Sequence, residues 1–551
     1  MGTTDVQVLV VGAGPTGLTL ACDLLRRGVG CRVVDRAVAF HRRSRGKGLQ
    51  PRTLEVFDDL GVAEQVLAVG RRAHRLRLYA GGRQVADLSI PPRPPRPGVP
   101  YPDLVVLPQW RTEELLRNRL AALGGVVERG RELVALSQDD DGVTVTVASG
   151  GAAEVVRAGY VVGCDGGHSR VRELLGLVLR GEGRQERFVL GDVEVDGLEP
   201  GVAVAWFDGR EYLAADPLDG RGTWQVQARV PSDGRPEPVT VELLQRLFSE
   251  RGFPGVRLHD PTWLSEFAPR AALVDRYRAG RVLLAGDAAH VHSPAGGQGL
   301  NTGVQDAYNL GWKLGLVVAG AAPGDLLDTY QEERLPVARA VLAGSDRGHT
   351  VVFSAHPVVR RLRERVLAPL LRLDAVQRAV LDRSAELAIS YRGSSLSGGR
   401  VGPAGRLRSR RGPHAGDRAP DARCRAADGS GPMRLFDLFR GPHATLLLFA
   451  GRAAHRERLA ALAREVGERH GDDVRPAIVV PADRVPVGLD AGAAVLDPDG
   501  EAHRLYGADA GALVLVRPDG YIGHRSTPAD AVALREHLGA VFPGRGRTVV
   551  H

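Results

Sequence analysis

The sequence predicts an α/β protein of two or three domains, and three observations lead to that prediction. Val6–Val11 is an apolar, β-branched run followed by Gly12-Ala-Gly-Pro-Thr-Gly17 and a helical pattern. Residues 176–278 mostly alternate in polarity and are broken by glycine and proline, as in antiparallel strands. From about residue 430, strand-like and helix-like patterns alternate again. We therefore expect a Rossmann-like domain, an inserted antiparallel sheet and a small C-terminal α/β domain.

The N-terminal glycine motif is typical of a dinucleotide site. Gly12 permits a tight turn, Gly14 lets a pyrophosphate approach the backbone, and Gly17 allows close packing of helix and strand. A second strand, residues 31–34, ends at Asp35, whose carboxylate can accept a hydrogen bond from a ribose hydroxyl. The glycines alone would be a weak signal, whereas the full order of strand, loop, helix, strand and acid is specific.

A second glycine-rich loop lies in the middle of the chain. Residues 282–285 are predicted as a buried strand that ends at Gly286-Asp287, and a helix follows from Val304. Such a loop lets main-chain N–H groups approach a flat anionic ligand, with Asp287 held where the strand ends. Because the N-terminal motif accompanies it, we interpret this loop as part of a flavin site. Its glycines are Gly296, Gly297, Gly299 and Gly303.

The other elements follow from periodicity and turn residues. The Asp139-Asp-Asp-Gly142 segment predicts a hairpin turn, and the proline-rich residues 91–102 predict an extended surface connection. Apolar spacing predicts helices at 18–27, 53–60, 112–123, 356–388, 456–470 and 528–538. In the last domain, strands are predicted at 444–449, 477–480 and 512–517.

Charge and composition exclude several classes of function. The formal net charge is +8, but it comes from arginines spread along the chain, since Lys47 and Lys313 are the lysines. We therefore expect no nucleic-acid partner. No apolar stretch is long enough to span a bilayer, and we expect a cytoplasmic protein that does not contact membranes.

No metal or dithiol site is predicted. His290 and His292 lack a nearby third ligand, so a structural role in the loop is favoured. Free thiols are expected because the cysteines show neither a C-x-x-C pair nor metal-ligand spacing. They are Cys22, Cys31, Cys164 and Cys424.

Three spaced motifs together resemble one family. They are the Gly12–Gly17 motif, Cys164-Asp165-Gly166, and Gly286-Asp287 with its loop. The chain resembles the class A flavoprotein monooxygenases, and among them the hydroxylases of aromatic polyketides that carry a thioredoxin-like C-terminal domain. The resemblance covers essentially the whole chain, but its motifs specify the substrate much less than the superfamily. It implies an enzyme with FAD, NADPH or NADH, O2 and an aromatic substrate, which passes oxygen to the ring through a C4a-hydroperoxyflavin.

The resemblance also implies roles for particular residues. Asp287 would hold ribityl hydroxyls, and Asp165 is associated with both FAD and the pyridine nucleotide. Arg52, at a helix start, is the candidate that could polarise a substrate carbonyl, with a phosphate contact or a surface position as the alternative. Pro294 would lie against the isoalloxazine and is the second catalytic candidate. The remaining cofactor-binding candidates are Gly12, Gly14, Pro15, Thr16, Gly17, Asp35, Arg36, Arg45, Gln109, Arg111, Gly286, Gly297, Gln298, Gly299, Leu300 and Asn301.

The resemblance divides the chain as follows. The FAD-binding domain would comprise residues 1–75, 103–175 and 279–395, and the substrate-binding domain residues 76–102 and 176–278. A linker at 396–425 would precede a thioredoxin-like domain at 426–551 that lacks C-x-x-C. That domain would be structural or an interaction surface, and the protein a monomer or homodimer.

Two features of the sequence leave alternatives open. Aromatic residues of the inserted sheet could line a substrate cavity, although core packing is the default. They are Trp206, Phe207, Tyr212 and Trp224. The same flavoprotein architecture would also suit an enzyme that performs Baeyer–Villiger oxygen insertion or hydroxylates small phenols. It would equally suit a non-catalytic flavoprotein that binds a partner. A flavin-dependent halogenase is disfavoured because its Trp-x-Trp-x-Ile-Pro segment is absent.

Overall fold

The computed structural model describes most of the chain. The described residues are 6–42, 44–80, 82–183, 186–208, 211–218, 222–230, 237–268, 270–291, 298–353, 356, 358, 362, 370, 373–398, 412–451, 456–482, 484–485 and 494–543. None of the helices in these segments is both long enough and apolar enough to cross a bilayer.

The first part of the chain contains a strand-rich framework with short helices. Its strands are β1 (Val6–Val11), β2 (Cys31–Asp35), β3 (Gly48–Leu49), β4 (His74–Ala80), β5 (Arg83–Ile90), β6 (Val105–Val106), β7 (Val127–Arg129), β8 (Glu132–Gln138), β9 (Val143–Ser149) and β10 (Ala152–Gly163). Its helices are α1 (Pro15–Arg26), α2 (Pro51–Asp59), α3 (Ala63–Val69), α4 (Gln109–Ala122) and α5 (Arg170–Leu174).

The middle of the chain adds a second group of strands and the longest helices. Its strands are β11 (Arg180–Gly183), β12 (Arg187–Asp196), β13 (Val202–Asp208), β14 (Glu211–Pro217), β15 (Thr223–Val230), β16 (Arg257–Phe267), β17 (Arg270–Leu273), β18 (Arg278–Ala279), β19 (Val282–Leu284) and β20 (His290–Val291). Its helices are α6 (Val241–Glu250), α7 (Gly299–Val318), α8 (Asp328–Phe353) and α9 (Asp374–Ser384). Within the stretch 356–388 that is predicted as helical, α9 covers only residues 374–384, and much of the first half lies outside the described residues.

The final part forms the C-terminal domain. Its strands are β21 (Arg423–Ala426), β22 (Pro432–Arg434), β23 (Ala444–Phe449), β24 (Val474–Val480), β25 (Ala494–Leu496), β26 (Ala512–Val516) and β27 (Ile522–Ser526). Its helices are α10 (Leu435–Phe439), α11 (Arg456–His470), α12 (Glu501–Tyr506) and α13 (Ala531–Val541).

A parallel sheet forms the core of the first domain and confirms the Rossmann-like prediction. Its strand order is β18-β19-β10-β1-β2-β7, and β1 pairs in parallel with both β2 and β10. Val8, Leu9 and Val10 are completely buried, as expected for a central strand of a parallel sheet. The antiparallel pair β8–β9 extends the sheet from β10, with the predicted turn at 139–142 between its strands.

The inserted sheet has one packed face and one face open to a cavity. Its order is β16-β12-β15-β14-β13-β4-β5, and most neighbours are antiparallel. Trp206 and Trp224 lie in the apolar cluster with α6, so core packing is confirmed for these two residues. Tyr212 lines the cavity instead, and the Phe207 ring lies 5.3 Å from its ring. The alternation of β-strand side chains thus divides the aromatic residues between the two faces.

The C-terminal domain is a mixed sheet with helices, in the strand order β22-β21-β25-β24-β23-β26-β27. Its first strand begins at Arg423. Before that strand, Asp417 forms a β-bridge to Ser390, and Arg418 forms one to Tyr521. The predicted domain boundary at residue 425 is therefore wrong, because β21 needs its pairing with β25 to satisfy its backbone. Cys424 is buried, and burial raises the pKa of its thiol well above the usual value.

Cys22, Cys31 and Cys164 are also unreactive thiols. All four cysteines of the chain, including Cys424, are free. Burial raises the pKa of Cys22 and of Cys31 to about 12, and it raises that of Cys164 as well. Since the thiolate is the reactive form, these residues serve packing.

A buried ionic cluster joins the C-terminal domain to α7 and α8. Glu333 accepts hydrogen bonds from Lys313 Nζ at 2.7 Å and from Arg517 at 2.5 Å. Asp519 lies in the turn after β26, where it accepts from Trp312 Nε1 at 3.1 Å and from Arg517 Nε at 3.0 Å. These side chains are almost completely shielded from solvent, so each charge depends on its partners.

Replacing Glu333 by glutamine tests this cluster. The variant Glu333→Gln keeps the side-chain shape but leaves Lys313 and Arg517 without their shared carboxylate. We expect the free energy of unfolding to fall by about 3–5 kcal/mol, as for other broken buried pairs. Urea titration at neutral pH measures it.

Glu465→Gln is the matched control for this variant. Its carboxylate pairs with Arg535 at 2.6 Å, but both side chains are exposed. Loss of an exposed pair should cost no more than about 1 kcal/mol. Equal effects of the two substitutions would contradict a supporting role for the buried cluster.

Candidate functional site

The N-terminal glycine loop folds tightly against the Cys164-Asp165 turn. Gly12 has φ +103°, and a Cβ on it would lie 2.4 Å from the Cys164 carbonyl oxygen. A Cβ on Gly17 would lie 2.0 Å from the Gly12 carbonyl oxygen. No side chain caps α1 at Gly14. The first N–H groups of this helix are therefore available to a ligand, as in anion sites at helix N-termini.

Asp35 holds the loop from the neighbouring strand. Its carboxylate accepts hydrogen bonds from Ala13 N at 2.7 Å and from Ala37 N at 2.8 Å. A carboxylate has further lone pairs, so Asp35 can also accept from a ribose hydroxyl. Asp35 and Arg36 line a cavity of about 320 Å³, which places both predicted residues at one end of the site.

Thr16 joins the two glycine-rich loops. Gly286 has φ +61°, and a Cβ there would lie 2.6 Å from Thr16 Oγ1. A Cβ on Gly303 would lie 2.4 Å from the same oxygen. Thr16 therefore fits between two positions that require glycine. The predicted motifs, 270 residues apart, form one surface.

Asp287 faces the larger of two cavities, which has a volume of about 1030 Å³. The Asp287 side chain is exposed to this cavity, and protein surrounds the carboxyl on its other sides. This enclosure raises the pKa of the Asp287 carboxyl, and the charges of His290 and Arg45 act in the opposite direction. The geometry thus offers a carboxylate to a ligand that fills the cavity.

A fully buried ion cluster lies beneath the Gly286 turn. Asp306 accepts hydrogen bonds from Gly286 N at 3.1 Å, His290 Nε2 at 2.6 Å and Arg334 Nε at 2.7 Å. Burial would raise the pKa of Asp306, but Arg334 and His290 outweigh it and lower that pKa to about 2. His290 thus has a structural role in the loop, and His292 lies outside the described residues.

The first turn of α7 faces the same cavity. Gln298, Gly299 and Leu300 line it, and no side chain caps the helix at Gln298. Asn301 fixes this turn, since it accepts from Gln50 N and donates to the Gly48 carbonyl oxygen, both at 2.8 Å. Two predicted residues of this segment, Pro294 and Gly297, lie outside the described residues.

Arg45 and Gln109 stand where the two cavities meet, together with Gly14 and His168. Gln109 Oε1 accepts from Gly46 N at 3.0 Å, and its amide nitrogen donates to Glu113 at 2.9 Å. Both predicted residues are therefore in the site. His168 was not predicted, and its place next to the Cys164-Asp165-Gly166 motif is the signal that could have found it.

Two predicted contacts have other partners in the structure. Arg111 lines neither cavity, and its guanidinium pairs with Glu114 on the outer side of α4. Asp165 accepts from Ser169 Oγ at 2.5 Å and from Arg170 N at 2.7 Å, so it closes the turn before α5. Burial raises the pKa of its carboxyl, and these hydrogen bonds lower it.

The prediction that Arg52 could act on the substrate is wrong. The side chain is buried at 3% exposure, where it donates to Glu55 at 2.8 Å and to the Asp519 carbonyl oxygen at 2.5 Å. Its guanidinium also lies 5.0 Å from the centre of the Tyr521 ring. Arg52 is on the side of α2 that faces the C-terminal domain, away from the cavity.

The far wall of the larger cavity is formed by the inserted sheet. Small apolar side chains on β13 and β14 form a flat surface there, and an ion pair between Lys47 and Asp216 lies beside it. The small residues are Ala203, Ala205 and Ala214. The larger cavity is therefore bounded by the two glycine loops on one side and by the apolar surface of the inserted sheet on the other.

The pH dependence of stability tests the cluster at Asp306. Its folded pKa, about 2, lies below the ordinary value of 3.8. The ionised carboxylate therefore stabilises the fold above pH 4, and this contribution disappears as pH falls towards 2. The shift corresponds to about 2 kcal/mol. Between pH 5 and 2, the free energy of unfolding should fall by that much more in the native protein than in Asp306→Asn, measured by urea titration. If the unfolding free energies of the native protein and Asp306→Asn changed equally with pH, the stabilising role of the ionised Asp306 would be contradicted.

Comparisons with known proteins cover nearly the whole chain. The family described as FAD binding domain matches residues 5–345, and that described as aromatic-ring hydroxylase, C-terminal, matches residues 412–544. A flavin-dependent monooxygenase of Mycobacteroides abscessus is 42% identical over 94% of this chain and 96% of its own length. The 6-methylpretetramide 4-monooxygenase of Streptomyces rimosus is 35% identical over 97% of this chain and 93% of its own.

A solved structure shows the same architecture with ligands. Aklavinone-11 hydroxylase in complex with FAD and aklavinone superimposes with a TM-score of 0.79 at 27% identity, over 98% of this chain and 100% of that chain. The two glycine loops, the cavity between them and the inserted sheet agree with the family matches. The chain therefore belongs to the FAD-dependent aromatic-ring hydroxylases, a family of flavoprotein monooxygenases.

Proposed function

We propose that this monooxygenase uses NADPH or NADH and O2 to hydroxylate a polycyclic aromatic substrate of the polyketide type. The observation that supports this most is the arrangement of the two cavities, which meet at Gly14, Arg45, Gln109 and His168. They extend from Asp35 to the alanine-rich wall of the inserted sheet. A long dinucleotide and a flat ring can therefore lie end to end.

The chemistry of the donors fits FAD. Two uncapped helix N-termini, those of α1 and α7, face the cavities and suit a diphosphate and an electron-rich ring edge. Asp35 would bind the adenosine ribose, Arg45 the diphosphate, and Asp287 the ribityl hydroxyls. The chemistry supplied by bound FAD is hydride acceptance from the pyridine nucleotide and activation of O2 for transfer of one oxygen atom.

The protein's own part is positioning, electrostatic stabilisation and exclusion of water. The N–H groups of the first turn of α7 would stabilise negative charge that develops on the adjacent ring edge during reduction. Leu76, Leu190 and the alanines of β13 and β14 present apolar surface to the reacting ring. Such a surface keeps water away from the place where oxygen is transferred to the ring.

The substrate class is proposed from the relatives and the shape of the cavity. One relative is a 6-methylpretetramide monooxygenase, and another is a hydroxylase whose structure contains aklavinone. The alanine-rich wall leaves room for several fused rings in this chain, whereas large side chains there would restrict it to one. Polycyclic phenols and quinones are therefore the first candidates.

Gly14→Ala tests the diphosphate position. Gly14 has φ −75°, and a Cβ there has no protein atom within 4 Å, so alanine is compatible with the fold. The methyl group would occupy space next to the first N–H groups of α1. Because hydrogen bonds to charged groups contribute about 1.5–3 kcal/mol, we expect FAD to bind about 10- to 100-fold more weakly. Flavin fluorescence during titration of apoprotein measures this.

Gly539→Ala is the control for that variant. Gly539 lies on α13, where a Cβ also meets no atom within 4 Å, and it lines neither cavity. It should retain the native affinity for FAD. Native affinity in Gly14→Ala would rule out the proposed position of the diphosphate.

Turnover with a substrate panel tests the proposed reaction. NADPH oxidation and oxygen uptake are measured for the FAD-loaded protein with polycyclic phenols and quinones, and with single-ring phenols. We expect polycyclic compounds to stimulate both rates and to give products heavier by one oxygen, with all rings intact. Stimulation by single-ring phenols alone, products with an enlarged lactone ring, or no stimulated oxygen uptake would each overturn the proposal.

A further inference from the structure

Lys47 lines the larger cavity near the inserted sheet, and it belongs to a segment that contacts α7. The preceding residue, Gly46, packs against Leu300 in the first turn of α7, since a Cβ on Gly46 would lie 3.1 Å from Leu300 Cδ1. The Lys47 carbonyl oxygen accepts from Leu107 N at 2.7 Å, which fixes the backbone. Lys47 therefore stands at the boundary between the cofactor cleft and the inserted sheet.

Its ammonium group is held by one carboxylate that serves two cations. Lys47 Nζ lies 3.0 Å from Asp216 Oδ2, and Arg71 donates to Asp216 Oδ1 at 3.0 Å. Burial raises the pKa of Asp216, but the charges of Lys47 and Arg71 outweigh it and lower that pKa. The Asp216 carboxylate is thus ionised at neutral pH and is shared between two cations. The buried Asp192 carboxyl, whose pKa burial raises to about 6, is a second acid that interacts with Lys47.

The Lys47 side chain is a quarter exposed, at 26%, and it lines the cavity. An ammonium has three N–H donors, and Asp216 accepts from one of them. Another cation of the wall, Arg187, donates to Glu266 at 2.8 Å and is thereby neutralised. An ammonium group with unused donors beside an apolar wall favours an anionic oxygen on the ligand, because pairing offsets the cost of desolvation.

We propose that Lys47 determines substrate specificity by binding an ionised oxygen, a phenolate or enolate, on a polycyclic aromatic substrate. Asp216 and Arg71 position its ammonium group. The flat body of the ligand lies on the alanines of β13 and β14, with its charged oxygen at the Lys47 end. The ionised oxygen also enriches the ring in electrons, which favours attack on an electrophilic oxygen. This inference rests on the proposed function for the identity of the cavity, but its test is one of equilibrium binding.

The test compares two ligands that differ in one property. Alizarin is a flat polycycle with acidic hydroxyl groups, and 1,2-dimethoxyanthraquinone has the same rings but cannot ionise. Each is titrated calorimetrically into the FAD-loaded protein at pH 8 without reductant, so turnover plays no part. We expect the native protein to bind alizarin about 10- to 100-fold more tightly than the ether, the ratio that a hydrogen bond to a charged group provides.

Two variants assign that preference to Lys47. Lys47→Met keeps the length of the side chain without its charge and should bring the ratio of affinities close to one, mainly by weakening alizarin. Lys47→Arg should restore most of the preference. Arg187→Met is the matched control, since its charge is already paired with Glu266, and it should keep the native ratio.

Three binding results would overturn the inference. A native preference in Lys47→Met would mean that the charge is not used for recognition. Equal affinity of the native protein for the two ligands, or failure to bind alizarin, would mean that the cavity does not select ionised oxygens. Loss of FAD from Lys47→Met, seen in its absorption spectrum, would place Lys47 in the cofactor site. A protein that shows the preference but no turnover would keep this inference and reject the proposed reaction.

Discussion

The bond between Asp306 and Arg334 is the interaction on which the cofactor site depends most. Asp306 also accepts a hydrogen bond from Gly286 N, and Arg334 Nη2 donates to the Thr302 carbonyl oxygen at 3.1 Å in the first turn of α7. Both glycine loops then meet at Thr16. Because every member is buried, the cluster fixes the loop before Asp287 relative to the helix that follows it.

The same arginine connects this site to the C-terminal domain. Arg334 Nη1 donates to Tyr391 Oη at 2.9 Å, and the Tyr391 ring lies 4.2 Å from the ring of Tyr521. Tyr521 follows the turn that carries Arg517 and Asp519, which bind α7 and α8. The last domain, with its lone buried Cys424, therefore supports the helix at the cofactor site and has no dithiol chemistry.

Local sequence predicted the elements that bind the cofactor with good accuracy. β1 has the predicted bounds, and α1 and β19 differ from theirs by a few residues, because glycine turns and apolar runs mark element ends locally. Side-chain partners were predicted less well. Arg52, Arg111 and Asp165 all lie near the motifs, yet each is bound to groups that the motif does not contain.

The sequence by itself determined the nucleotide-binding architecture, the inserted sheet and the family, since each is encoded in contiguous patterns of glycine and apolar residues. The tertiary structure alone decided where charged side chains point. Arg52 is paired with a carbonyl oxygen 467 residues away, and Lys47 with a carboxylate on another domain. A charge pairs with whatever opposite charge or polar group the fold brings within about 4 Å, and beyond neighbours on one helix the sequence spacing carries no information about that distance.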